Sequence, residues 1–195
     1  MKIGVIGTHG VGKTDVCNFL GYYLHKKGNA EIIIEAVRTL VKKENLIVNE
    51  NTTFESQKRI LEYQIERELE VQEEIRKGNL KYGIYDRTVI DNYIYAENKF
   101  PEKSKEILYP IMDDWIKTNP YDLIYRVPLW NEGIVSDGFR SENKEFQISI
   151  NIKLNFLLDK LNVSYERIPK EFFLQNDEQQ AISFIRYFSN ILKHN

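Results

Sequence analysis

The chain has 195 residues, with 27 Lys and Arg against 29 Asp and Glu for a formal net charge of −2, and 42% of its residues are hydrophobic. This is an ordinary soluble composition, and the length suits one domain over residues 1–195 with a full core and a small lid. Near-neutral charge excludes a broadly basic nucleic-acid coat, and the lone Cys17 excludes an intramolecular disulfide and a cysteine-based zinc site.

The apolar runs alternate between strand and helix types. Residues 2–6 read as a short buried strand and 11–27 as a helix stopped by Gly28-Asn29. Residues 31–35, with three consecutive Ile, form a second strand. Residues 53–77 are highly charged, yet Leu61, Ile65 and Leu69 recur every four positions, which predicts a long helix with one apolar stripe. Gly78-Asn79 ends it, 80–85 is a third strand, and 88–98 is a helix. Pro101 opens a further helical stretch that finishes before Pro120, and 122–127 is a fourth strand. Residues 128–143 are irregular, 145–161 helical, 163–168 a fifth strand and 178–192 a closing helix. Parallel strands need crossover connections, so this alternation predicts an α/β fold with helices on both faces of a mostly parallel sheet. Ligands then sit at the carboxyl ends of the strands. The amino-terminal apolar run is too short for a signal peptide, and no run reaches the roughly 20 apolar residues that cross a bilayer, so a cytoplasmic location without membrane partners is expected.

Directly after the first strand comes Gly7-Thr8-His9-Gly10-Val11-Gly12-Lys13-Thr14, a full match to G-x-x-x-x-G-K-[ST]. From average usage, a chance match in a chain of this length is on the order of one in a hundred. Glycines let the backbone turn its N–H groups onto phosphate oxygens while the following helix contributes its dipole. Lys13 reaches the β and γ phosphates, and the Thr14 hydroxyl ligates Mg²⁺. Gly7, His9, Gly10, Val11, Gly12, Lys13, Thr14 and Asp15 are therefore the nucleotide-binding candidates, with ATP and Mg²⁺ the expected cofactors. Adenine is favoured over guanine because the Asn98-Lys99 and Asn143-Lys144 pairs do not continue into Asn-Lys-x-Asp. Cys17, about a turn into the helix, reads as a small buried apolar residue.

Three clusters follow at later strand ends. Glu35-Ala36-Val37-Arg38 places a carboxylate and a guanidinium at the loop's edge of the sheet; Glu35 could take a proton from an acceptor hydroxyl, or open a helix. Asp86-Arg87-Thr88 ends the third strand. Asp86 could hold Mg²⁺, orient a nucleophile or cap the next helix, Arg87 could bind phosphate or substrate oxygen, and Asp91 is open between function and structure. Beyond the fourth strand, Arg126 and Asp137-Gly138-Phe139-Arg140 offer positive charge near a γ-phosphate. Arg140 is favoured, acting from a lid at about 128–144 whose closure excludes water. Gln64 on the long helix could hydrogen-bond a base.

With these clusters the chain resembles the AAA_28-type P-loop kinase-like proteins, a group close to nicotinamide riboside kinases, deoxynucleoside kinases and thymidylate kinase, over nearly its whole length. The resemblance implies a three-layer α/β/α P-loop NTPase fold with five parallel strands in the order 2-3-1-4-5 and a lid. It also implies Glu35 or Asp86 as the group activating the acceptor, Arg87 as its clamp, and Arg140 acting from the lid. Substrate contacts would come from Glu35, Arg38, Gln64 and Arg87; catalysis from Lys13, Glu35, Asp86, Arg87 and Arg140; nucleotide contact also from Arg126; metal ligation from Thr14 and Asp86. The expected activity is transfer of the γ-phosphoryl group of Mg-ATP to a nucleoside, nucleotide or related ribosyl compound. A stand-alone ATPase or a nucleotide-dependent switch is the alternative, disfavoured because Arg87, not a water-activating Glu, follows Asp86. The expected partner is a small-molecule acceptor rather than nucleic acid, and a homodimer is allowed.

Overall fold

Strand β1 (Lys2–Ile6) is buried along its whole length and lies at the centre of the sheet. Apart from Lys2 it is apolar on both faces, because helices cover both. The computed structural model describes residues 1–33, 36–48, 51–130 and 143–192, with backbone alone for 33 and 36–38. Its strands are β1, β2 (Ala30–Ile33), β3 (Tyr82–Asp86), β4 (Leu123–Arg126) and β5 (Glu166–Arg167), all parallel in the order β2-β3-β1-β4-β5. That is the expected order. The fifth strand is shorter than its sequence signal, keeping only the two residues that meet Tyr125 and Arg126.

Between the strands run α1 (Lys13–His25), α2 (Ala36–Glu44), α3 (Phe54–Arg76) and α4 (Val89–Lys99). Then come α5 (Pro101–Lys103), a π turn (Ser104–Leu108), α6 (Tyr109–Thr118), α7 (Lys144–Lys160), a 3-10 turn (Lys170–Leu174) and α8 (Asp177–Ile191). The sequence reading offers a helix opened by Glu35 only as an alternative; the structure forms one at 36–44, and Leu40 and Val41 are buried among its described side chains. The period of two along each strand separates the cores. Ile3, Val5, Ile84, Tyr125 and Val127 point toward α1 and α8, where Leu20, Phe184 and Phe188 meet them. Ile6 and Ile124 point the other way, onto α3, α4, α6 and α7 through Leu61, Ile90, Met112 and Leu154. The result is three layers, helix, sheet and helix.

One expectation about the long helix needs correcting. Leu69 is 47% exposed, and the buried side of α3 runs instead through Leu61, Gln64, Glu68 and Val71. A four-residue apolar repeat drifts around a 3.6-residue helix, and the two polar residues on the true inward face are accepted because they satisfy each other and their neighbours.

Cys17 is fully buried on α1, and burial, followed by the nearby Asp86 charge, pushes its thiol pKa well up. It is therefore a protonated core residue. A thiol reagent should label native protein only as fast as the chain unfolds; rapid stoichiometric labelling would contradict this packing.

Candidate functional site

Strand register builds the site. Val5 lies beside Asp86 and Ile6 beside Arg126, so the loop leaving β1 emerges between the ends of β3 and β4. The loop needs its glycines, since Gly10 has φ of 74° and Gly12 has φ of 88°. At Gly12 a Cβ would also approach the Phe173 ring to 3.0 Å. Gly12 is the N-cap of α1 and has no side chain to satisfy the first N–H groups of that helix.

Lys13 is 6% exposed, and its Nζ donates to the carbonyls of Gly7 at 2.9 Å and Thr8 at 2.7 Å. The ammonium is thus folded back across its own loop. Thr14 donates from Oγ1 to Asp86 Oδ2 at 2.6 Å. Two oxygen-bearing side chains, from the first turn of α1 and the end of β3, therefore stand together. Among the described residues no three His, Cys, Asp or Glu side chains gather as a metal site. A hydroxyl plus one carboxylate nevertheless suits Mg²⁺, which binds through one or two protein oxygens together with phosphates and water.

Asp91 has a structural task. Its Oδ2 accepts from the Thr88 N–H at 2.9 Å and the Thr88 hydroxyl at 3.0 Å, which with Thr88 capping Ile90 makes a capping box. Its Oδ1 accepts from the Gly7 N–H at 3.1 Å. One carboxylate thereby fixes both the start of α4 and the start of the phosphate loop.

Arg87 takes φ of 85°, a left-handed conformation that strains a large side chain. Its N–H donates to the Val5 carbonyl at 3.1 Å, and its own carbonyl accepts from Gln64 Nε2 at 3.3 Å. The guanidinium stacks over the Tyr95 ring at 4.9 Å. Burial alone would lower its pKa, but Tyr95, Asp91 and Asp86 outweigh that and raise it, so the charge is secure. Gln64 is 2% exposed and donates to Glu68 as well, so its amide is committed inside the fold and supports the Arg87 turn.

Arg126 is 2% exposed beneath the loop. It donates to the Val127 carbonyl, to Asn151 Oδ1 at 2.6 Å and to Asn155 Oδ1 at 3.3 Å. Burial draws its pKa down to about 10, which leaves it charged at neutral pH. His9 Nδ1 meets the Tyr95 hydroxyl at 2.9 Å, and its ring lies 5.5 Å from that of Phe146. Val11 turns its side chain fully into the core, while its carbonyl accepts from Trp130 Nε1 at 2.8 Å. Trp130 stacks on Phe173 with 5.2 Å between centroids. Asp15 is exposed in the first turn of α1. Glu35 and Arg140 lie outside the described residues, as does the Arg38 side chain and the middle of the lid segment, 131–142.

The structure thus gathers Lys13, Thr14, Asp86 and Arg87 around one hollow, which Gly10, Val11 and Gly12 also line, with about 10 Å³ of room. A roomier cavity of about 370 Å³, between Leu123, Val163 and Tyr165, opens at the amino ends of β4 and β5, the opposite edge of the sheet. It holds none of the loop residues. Sequence reasoning overlooks Tyr95, Gln147, Asn151 and Asn155. The last three carry a legible signal: they are amides at four-residue spacing on a helix, Gln147 buried with Ile150, Leu154, Leu157 and Leu158, and Asn151 and Asn155 half-buried.

Residues 2–173 match the AAA_28 family, described as an AAA domain. Comparison with curated proteins gives no match. Among solved structures, deoxyadenosine kinase from M. mycoides with dCMP and a flexible dCDP bound is similar over 100% of both chains, at 17% identity and a TM-score of 0.63. The same kinase with bound dATP is similar over 99% of both chains, at 20% identity and a TM-score of 0.60. NadR protein in complex with NR gives a TM-score of 0.74 at 18% identity over 97% of this chain and 50% of that one, so the chain spans half of NadR. At these identities the likeness is one of fold. No helix among the described residues is long and apolar enough to cross a membrane.

Proposed function

The chain belongs to the AAA_28 family, and from that premise we propose that it is a P-loop phosphotransferase, moving the γ-phosphoryl group of Mg-ATP onto a nucleoside, a nucleotide or a related ribosyl compound. The observation that carries this reading is the convergence of Lys13, the hydrogen-bonded Thr14–Asp86 pair and Arg87 at the carboxyl edge of β1 and β3.

The loop's inward amides and the first turn of α1 bind the triphosphate, and Lys13 exchanges the Gly7 and Thr8 carbonyls for phosphate oxygens. That exchange opens a hollow otherwise closed over its own lysine. Thr14 and Asp86 would hold Mg²⁺, which when bound with ATP neutralises charge on the transferring group. Glu35 or Asp86 would accept the acceptor's proton, and the engagement of Asp86 with Thr14 supports Glu35 in that role. Arg87, fixed by its backbone and by the Tyr95 face, presents its guanidinium to the acceptor. The segment at about 128–144, with Arg140, closes over the reacting phosphate and keeps water out.

Two similar solved structures are of one kinase named for a deoxynucleoside, and a third holds NR, which makes nucleosides the first class to test. Purified protein should consume ATP slowly alone and many-fold faster with one member of a panel of ribo- and deoxynucleosides, nucleotides and nicotinamide riboside. Rapid hydrolysis indifferent to every acceptor would instead support an ATPase, and tight nucleotide binding without turnover a regulatory switch.

A further inference from the structure

Helix α7 contributes nothing to the phosphate-loop motif, yet its buried side touches that loop at several points. Gln147 is 1% exposed; its Nε2 donates to the His9 carbonyl at 2.7 Å, and its backbone carbonyl accepts from the Thr8 hydroxyl at 3.2 Å. One turn on, Asn151 receives the Arg126 guanidinium, and a further turn on Asn155 does so too. Arg126 in turn lies under the first glycine of the motif, its Nη1 3.2 Å from where a Gly7 Cβ would stand. Positions four apart share a helix face, so these amides form one ridge. A buried amide is costly unless hydrogen-bonded, and here the bonds are made to the loop and to the arginine beneath it.

We propose that this ridge, with Gln147 at its loop end, positions the phosphate loop for nucleotide. The inference rests on the reading above, that the loop binds a triphosphate. In a planar trans peptide the C=O of one residue and the N–H of the next point in opposite directions. By holding the His9 carbonyl toward α7, Gln147 fixes the His9–Gly10 peptide plane with the Gly10 N–H turned away from α7, and Gly10 lines the hollow. Arg126, held by Asn151 and Asn155, packs under Gly7, while Asp91 accepts from the Gly7 N–H. The loop therefore meets phosphate already shaped, and less binding energy is spent on ordering it.

The test is calorimetric titration of ATP into wild-type protein, Gln147→Leu and Gln147→Glu, with acceptor KM and kcat measured in parallel once an acceptor is known. Gln147→Leu removes the donor, and Gln147→Glu keeps the volume but sets an acceptor against a carbonyl. Either should weaken ATP by about 3- to 10-fold, the worth of one hydrogen bond, raising the ATP KM with little change in acceptor KM. Ile148→Ser, on the exposed side of the same helix, should leave ATP affinity at the wild-type value. Wild-type affinity in both folded Gln147 variants would overturn the positioning role alone. Failure of the wild-type protein itself to bind ATP would overturn the phosphate-loop reading and this inference together.

Discussion

Lys13→Ala is expected to lower phosphoryl transfer by about 10²- to 10³-fold, the usual consequence of deleting one preorganised charge at a transferring group. Its ammonium donates to two carbonyls of the glycine-rich loop and lines the hollow beside Thr14, Asp86 and Arg87. Those carbonyls lose a buried donor in the variant, at a cost to stability of about 1–3 kcal/mol. Lys13→Met keeps most of the stem but lacks the donor too, so its turnover should fall as far as that of Lys13→Ala, and the difference between their unfolding midpoints reads the packing of the stem alone. Activity retained in either variant would remove Lys13 from the mechanism and with it the assignment of the site.

A second large effect is expected far from any phosphate. Glu68 is completely buried and receives four donors: Lys2 Nζ and Trp115 Nε1 at 2.9 Å on one oxygen, and Tyr121 OH at 2.7 Å and Gln64 Nε2 at 2.9 Å on the other. Lys2 is itself 5% exposed, donates to the Asn119 carbonyl at 2.7 Å and stands 4.1 Å from the centre of the Tyr121 ring. Burial lowers its pKa, and the Glu68 carboxylate works against that shift. Glu68→Leu with Lys2 in place should therefore cost about 3–5 kcal/mol, because it strands a buried cation as well as removing a pair. For a chain of this size that is roughly a 10 °C fall in unfolding midpoint. The double variant Lys2→Met/Glu68→Leu should recover much of the loss, since desolvation opposes the pair's attraction. A single variant within about 1 kcal/mol of wild type would show that the network contributes little. Because Gln64 joins Glu68 to the Arg87 carbonyl, the same substitution should also loosen the turn that presents Arg87.

The glycine-lysine loop, the alternation of strands with helices and the placement of Asp86-Arg87 at a strand end are all local properties, and they were legible in order along the chain. A glycine at a positive φ, an apolar run between turns, or a helix stopped by Gly78 at φ of 81° is decided by a few neighbours in sequence. Shared pattern added the strand order, which local periodicity does not specify. What the chain alone left open concerned partners. Asp86 finds Thr14 because Val5 pairs with Asp86 in register, and Asp91 finds Gly7 because α4 starts against that same strand end. Gln64 reads as a residue that could hydrogen-bond a base, yet packing turns it inward beside Glu68, and Leu69 faces water. The amides of α7 acquire meaning only where they meet His9 and Arg126, more than twenty residues away in each case. Sequence determined which groups exist and on which kind of element. Tertiary structure decided which of them face one another, because a buried polar atom must find its partner across the core, and no local pattern encodes that distance.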